Sequence, residues 1–233
     1  MPIIQCLFLF FAAAMLGGCS TSPDVNSAGA DAVESVDGEF AQLRADLLDL
    51  ANRDREARTV LVEAMQDAKP LPDGGMQFGP EGWEAMQRVG EIDAESTAFL
   101  KRTVERVGWP TVSMVGADGA HAAWLLAQHA DADPEFQAEV LALMEPLVDQ
   151  GEAKPRHFAL LTDRVLLARG EMQVYGTQFQ DDADGVMRPM PTRDWGTVDE
   201  RRASVGLAPI AEYAADLAES YGKPAEPEPS PAR

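Results

Sequence analysis

Phe40, Leu43, Leu47, Leu50, Asp54, Ala57, Leu61 and Ala64 recur in alternating steps of three and four. An α-helix gathers such positions onto one face, so the spacing predicts a long helix with a single apolar seam. The punctuation downstream predicts more helices. A Pro- and Gly-rich loop from Lys69 to Gly79 ends the first, and Pro80 suits the first turn of a short helix to about Val89. Asp93 can cap a helix to Val107, with Gly108 at its C-terminus and Trp109-Pro110 barring continuation. Another helix follows Gly119 to about Ala130. Asp133-Pro134 reads as the N-cap and first position of the next, ending near Gly151, and Pro155 opens one that runs through Arg169-Gly170.

The pattern then changes. Residues 171–180 (Glu-Met-Gln-Val-Tyr-Gly-Thr-Gln-Phe-Gln) read as a strand, and Asp184-Gly185 turns it back into Val186-Met187-Arg188. Thr197-Val-Asp-Glu200 matches a capping box for a short helix, and Pro209 opens a last helix to about Tyr221. The expected fold class is mainly α: a single helical domain with one β-hairpin, spanning residues 39–222. Residues 223–233 form a Pro-rich acidic tail expected to be disordered.

Residues 1–18 carry no Lys, Arg, Asp or Glu, and the apolar run from Cys6 to Leu16 has the length of a signal-peptide core. It is too short to span ~30 Å of hydrocarbon as a helix. Leu16-Gly17-Gly18-Cys19 follows at once and resembles the lipobox of bacterial lipoproteins, an aliphatic residue and two small ones before the acylated cysteine. The resemblance implies cleavage after Gly18 and lipidation of Cys19, with two or more acyl chains anchoring stably at ~0.8 kcal/mol per buried methylene. A basic residue in the n-region, usual in such signals, is missing. Ser20 is non-acidic, which in similar lipoproteins of Gram-negative cells directs sorting to the outer membrane, facing the periplasm. Residues 19–38, rich in Ser, Ala, Asp and Gly, would then be a flexible tether reaching ~20–25 Å on average. The mature chain of 233 − 18 = 215 residues keeps one cysteine, so its core must hold without a disulfide.

The net charge of −20 argues against binding nucleic acid or anionic headgroups. Membrane contact is expected through the acyl chains on Cys19, and the other partner would be a protein or an envelope ligand. No cofactor motif is present. There is no phosphate-cradling glycine loop and no serine in a Gly-x-Ser-x-Gly setting. The residues 180–185 (Gln-Asp-Asp-Ala-Asp-Gly) fall short of a calcium loop, with Gln180 at the first ligand place and no glutamate at the twelfth. The three histidines lack i, i+4 spacing, so a metal site is not expected.

Several stretches are familiar together: Gly108-Trp109-Pro110, the Ala122–Asp131 segment ending Gln128-His129-Ala130-Asp131, Leu161-Thr162-Asp163-Arg164, Gln173–Gln178 (Gln-Val-Tyr-Gly-Thr-Gln) and Val198–Arg202. In this order they resemble an uncharacterised bacterial domain family over about residues 40–221. The resemblance implies a stand-alone, largely helical domain and carries over no catalytic residue.

Three positions break the helical patterns. Asp54 sits on the apolar seam, where a carboxylate must be paired or protonated, and Arg58 one turn on is its nearest candidate partner. Asp163 and Arg164 lie among Leu160, Leu161, Val165, Leu166 and Leu167. Neighbours on a helix do not face each other, so each must pair with another element, and a link from Arg164 to Asp54 is expected. His129 shares a stripe with Ala122, Leu125 and Leu126. Such groups can be core ion pairs that fix helix register. They can equally be a polar cleft in which Asp54, His129, Asp163 and Arg164 do acid–base work, with Gln173, Tyr175 and Gln178 lending hydrogen bonds. His121 and His157 read as surface or packing residues. The chain is expected to be a lipid-anchored envelope protein that acts by binding, with an envelope hydrolase as the alternative. The two part on whether these side chains meet in an open cleft or a closed core.

Overall fold

The computed structural model describes residues 38–66, 68–70 and 76–229. The signal-like segment, Cys19 and nearly all of the expected tether lie outside the described residues. Within them the protein is mainly α-helical, as its periodicity predicts.

Helix α1 (Gly38–Gln66) runs the full length of the apolar seam. Leu43, Leu47, Leu50, Ala51, Ala57 and Leu61 are buried along it. Helix α2 (Pro80–Val107) packs beside α1 and is continuous, where a break near Gly90 and a cap at Asp93 are expected from the sequence. Ala85, Val89, Ile92, Ser96, Leu100 and Thr103 are buried in steps of three and four across the expected break. One exposed glycine inside a helix costs about 1 kcal/mol, too little to interrupt such a face. Asp93, freed from capping, turns toward α1.

Helix α3 (Val112–Gln128) starts before Gly119 and kinks at Gly116, whose φ of 73° favours glycine. Its second part is buried on nearly every side, from Ala122 to Gln128. Helix α4 (Pro134–Asp149) begins where Asp133-Pro134 places it, and the Asp133 side chain accepts from Phe136 N at 3.1 Å. Asp133→Ala is expected to lower stability by about 1 kcal/mol, the usual worth of an N-cap, in urea unfolding. Helix α5 (Pro155–Ala168) follows as predicted. The main core lies among these helices and includes Leu47, Leu100, Val115, Leu126, Phe136 and Leu161.

The hairpin is shorter than its sequence suggests. Strands β3 (Phe179–Asp181) and β4 (Met187–Pro189) pair antiparallel around a turn at Gly185, with φ 76°; with β1 and β2 defined as Lys69–Pro70 and Met76–Gln77, a two-residue ladder also closes the loop before α2. Residues 171–178, expected to be strand, instead wind into an irregular loop, for a reason that the buried carboxylate of Asp163 supplies below. A 3-10 turn (Trp195–Thr197), helix α6 (Val198–Ser204) and helix α7 (Ile210–Tyr221) complete the body. Thr197 does not cap α6; its hydroxyl donates to Asp194 O at 3.1 Å. A second small core of Phe179, Met187, Val198, Ile210, Ala214 and Leu217 holds this part together.

The Pro-rich tail also departs from expectation. Met187 N donates to Pro224 O, Glu226 N donates to Met187 O, both at 2.9 Å, and Lys223 pairs with Asp181. One rung of backbone pairing and an ion pair thus dock residues 223–226 along β4. Residues 230–233 are outside the described residues.

Candidate functional site

The odd polar residues of the sequence meet in one buried network. On α1, Asp54 takes a seam position between Leu50 and Leu61, so the helix drives its carboxylate into the core with 2% exposure. Its Oδ1 accepts from Arg58 Nε at 2.8 Å and faces His129 Nδ1 at 3.0 Å. Arg58, the partner expected one turn away, reaches on from Asp54 to the carboxylate of Asp93 on α2. His129 ends α3 and is itself 5% exposed.

The protonation states follow from these contacts. Burial raises the Asp54 carboxyl, but His129 and Arg58 outweigh it and hold it below its ordinary range. Burial, with the charge of Arg58, pushes His129 down to about 4, so the ring is neutral. An ionised carboxylate can only accept, which places the imidazole proton on Nδ1 and leaves Nε2 as a lone-pair base. Nε2 is buried with no hydrogen-bond partner among the described residues. Asp93 is pushed up to about 7, by burial foremost and by Asp54 and Asp131, against the pull of Arg58.

Arg164 is not paired as expected. Its Nη1 donates to both oxygens of Asp131, at 2.7 and 2.9 Å, while Asp54 is taken by Arg58 and His129. An i, i+4 arginine reaches Asp54 without help from α5, and Asp131 stands at the end of α3 facing Arg164. Asp131 is also fixed by Gln137 Nε2 at 3.1 Å. Its side chain is 38% exposed, so the network comes nearest to solvent there and at Asp93, with 25%.

Asp163 does different work. Its oxygens accept from the backbone N–H groups of Val174, Tyr175 and Thr177, at 2.7 to 3.2 Å. Burial raises its proton affinity and these three donors oppose that. The carboxylate stands where a neighbouring strand would otherwise supply acceptors, which is why residues 171–178 coil around α5. Gln173 closes the same loop. Its Nε2 donates to Gln178 O and Met190 O, each at 3.0 Å, and its Oε1 accepts from Gln178 N at 2.9 Å. The Gln178 amide donates to Thr177 Oγ1 at 3.0 Å. Gln173 and Gln178 therefore fasten the loop. Tyr175 is half-buried, and its carbonyl accepts from Arg202 Nη1 at 2.8 Å.

Asp54, Asp93 and His129 also bring three possible ligand atoms within 4.8 Å of one another. The Arg58 guanidinium already bridges both carboxylates, so the cluster has its cation in covalent form and a metal ion would have to displace it. Sequence reasoning missed Asp93, because it assigned it to a cap. A continuous reading of α2 places it one turn before buried Ser96, on the inner side.

A single helical body whose central charges compensate one another, with a short hairpin and two small helices laced to it by buried carboxylates and arginines, defines a structural class and no reaction. The chain belongs to a family of unknown function, DUF6624, which it matches over residues 41–225. No curated protein and no solved structure matches it.

Proposed function

We propose that this is a lipid-anchored protein of the cell envelope, acylated at Cys19 on the outer membrane's periplasmic side, whose domain acts by binding a protein or envelope component. The observation that carries binding over catalysis is closure: Asp54, His129, Asp163 and Arg164 are each 5% exposed or less. A substrate has no path to His129 Nε2 without movement of the helices that cover it. None of the described helices is long and apolar enough to cross a membrane; the reading of attachment is supported by Leu16-Gly17-Gly18-Cys19 in the sequence. Cys19→Ser is expected to move the protein from the detergent-rich to the aqueous phase in phase partitioning. Equal partitioning of both forms would overturn the anchor.

A second reading, an envelope hydrolase, is favoured by the Asp54–His129 pair. The carboxylate fixes the tautomer that leaves Nε2 as a base, the arrangement a general base requires. A hydrolytic activity lost in His129→Gln with the fold intact would favour this reading over binding.

A further inference from the structure

Away from the buried network, the side chains of His121 on α3 and His157 in the first turn of α5 converge on a shallow cleft that also receives Glu152 and Lys154. His121 Nδ1 and His157 Nε2 lie 3.3 Å apart. That is long for a hydrogen bond donated by N–H, whose usual range is about 2.7–3.2 Å. Two imidazole nitrogens bound to one tetrahedral ion at ~2.0–2.1 Å lie ~3.3 Å from each other. The His157 ring stacks on Trp124 with centroids 3.9 Å apart and planes within 6°, and Trp124 Nε1 donates to His157 O at 2.9 Å. The ring is thereby held in place before any ligand arrives, while His121 is half-buried and borders solvent. Which of the two facing nitrogens carries hydrogen depends on the tautomer, and a ring in its other tautomer presents that nitrogen's lone pair to an ion.

We propose that His121 and His157 form a two-imidazole site for a late first-row divalent ion, copper(II) ahead of zinc, with solvent completing the coordination. The order follows from the general affinity of nitrogen sites for these ions. Lys154, Arg156 and Arg55 face His121 and repel a dication, Glu152 offsets one of these charges, and affinity is set by their balance. The absence of i, i+4 spacing hides such a site in the sequence, since its two ligands are 36 residues apart. It stands or falls independently of the lipid anchor and of the binding role.

The test is a titration of the purified full chain with copper(II) chloride, followed by tryptophan emission and by electron paramagnetic resonance. Trp124 and Trp109 border the cleft and are two of four tryptophans, so one equivalent of copper is expected to quench roughly half the emission. The resonance spectrum should carry imidazole nitrogen splitting. His121→Gln, at a half-buried position, is expected to keep the fold and weaken binding by about tenfold or more. Lys154→Gln removes a repelling charge and is expected to tighten binding several-fold, the opposite of what an anion site would do. No saturable quenching, wild-type binding by His121→Gln, or weaker binding by Lys154→Gln would each overturn the site. His157→Gln serves as a second ligand variant where circular dichroism shows it folded.

Discussion

Asp163→Ala is expected to lower the melting temperature by roughly 10 °C, a loss of about 3–5 kcal/mol at 2–4 °C per kcal/mol for a domain of this size. The carboxylate is fully buried and accepts from the backbone of Val174, Tyr175 and Thr177. Alanine leaves those three donors without acceptors, and each buried orphan costs about 1–3 kcal/mol. The damage should be local before it is global. Hydrogen exchange at residues 174, 175 and 177 should accelerate under conditions where α3 and α4 stay protected. Glu139→Ala, at an exposed position on α4, is the control and should fall within about 0.5 kcal/mol of wild type. A variant at position 163 melting with the wild type would mean that the loop finds its acceptors elsewhere, and that Asp163 is not kept for the fold.

The same loop marks the limit of what the sequence discloses. Helix starts at Pro80, Pro134 and Pro155 are legible because proline and its neighbours act within one turn. Asp54 as a buried, paired carboxylate is legible because the seam and the i, i+4 arginine are local as well. Residues 171–178 carry strand-like composition, but a carboxylate at least eight positions earlier decides their path, and no periodicity encodes that. The continuous α2 escapes for the reverse reason: Gly90 and Asp93 are strong local signals that a buried face seven positions wide overrules. Pairings across elements were the least legible. Arg164 takes Asp131 in place of Asp54, and His121 meets His157, because α3 and α5 pack side by side. The tail is held by one backbone rung beside β4, an edge strand open to pairing, and by ion pairs of Lys223 and Glu226, which its proline content does not forbid.

His129→Gln is expected to change the acid sensitivity of the protein by about 2 kcal/mol between pH 6.5 and pH 5, the second large effect. An unfolded histidine titrates near 6.5, whereas His129 in the fold is held down to about 4. Between those values the unfolded chain carries a proton that the fold refuses. Stability therefore falls as pH drops from about 6.5, and the loss is complete only near pH 4. Asp54 and Arg58 from α1 and Arg164 from α5 contribute charge to this balance. Asp93 acts in the opposite sense. Its folded value of about 7 lies above the ordinary 3.8, so the fold holds a proton that the unfolded chain lacks, and acidification from about 7 favours the fold. The two contributions oppose each other in the wild type, which flattens its pH profile. Glutamine at 129 can still donate to Asp54 but cannot take up a proton, so it removes one side of the opposition. The variant should lose stability at pH 7 and recover about 2 kcal/mol relative to wild type at pH 5, in urea unfolding at both values. A gap that instead widens towards pH 5 would mean that His129 is charged in the fold, its proton affinity raised and not lowered. Its Nε2 would then be a donor and not a base, which removes the one observation favouring a hydrolase.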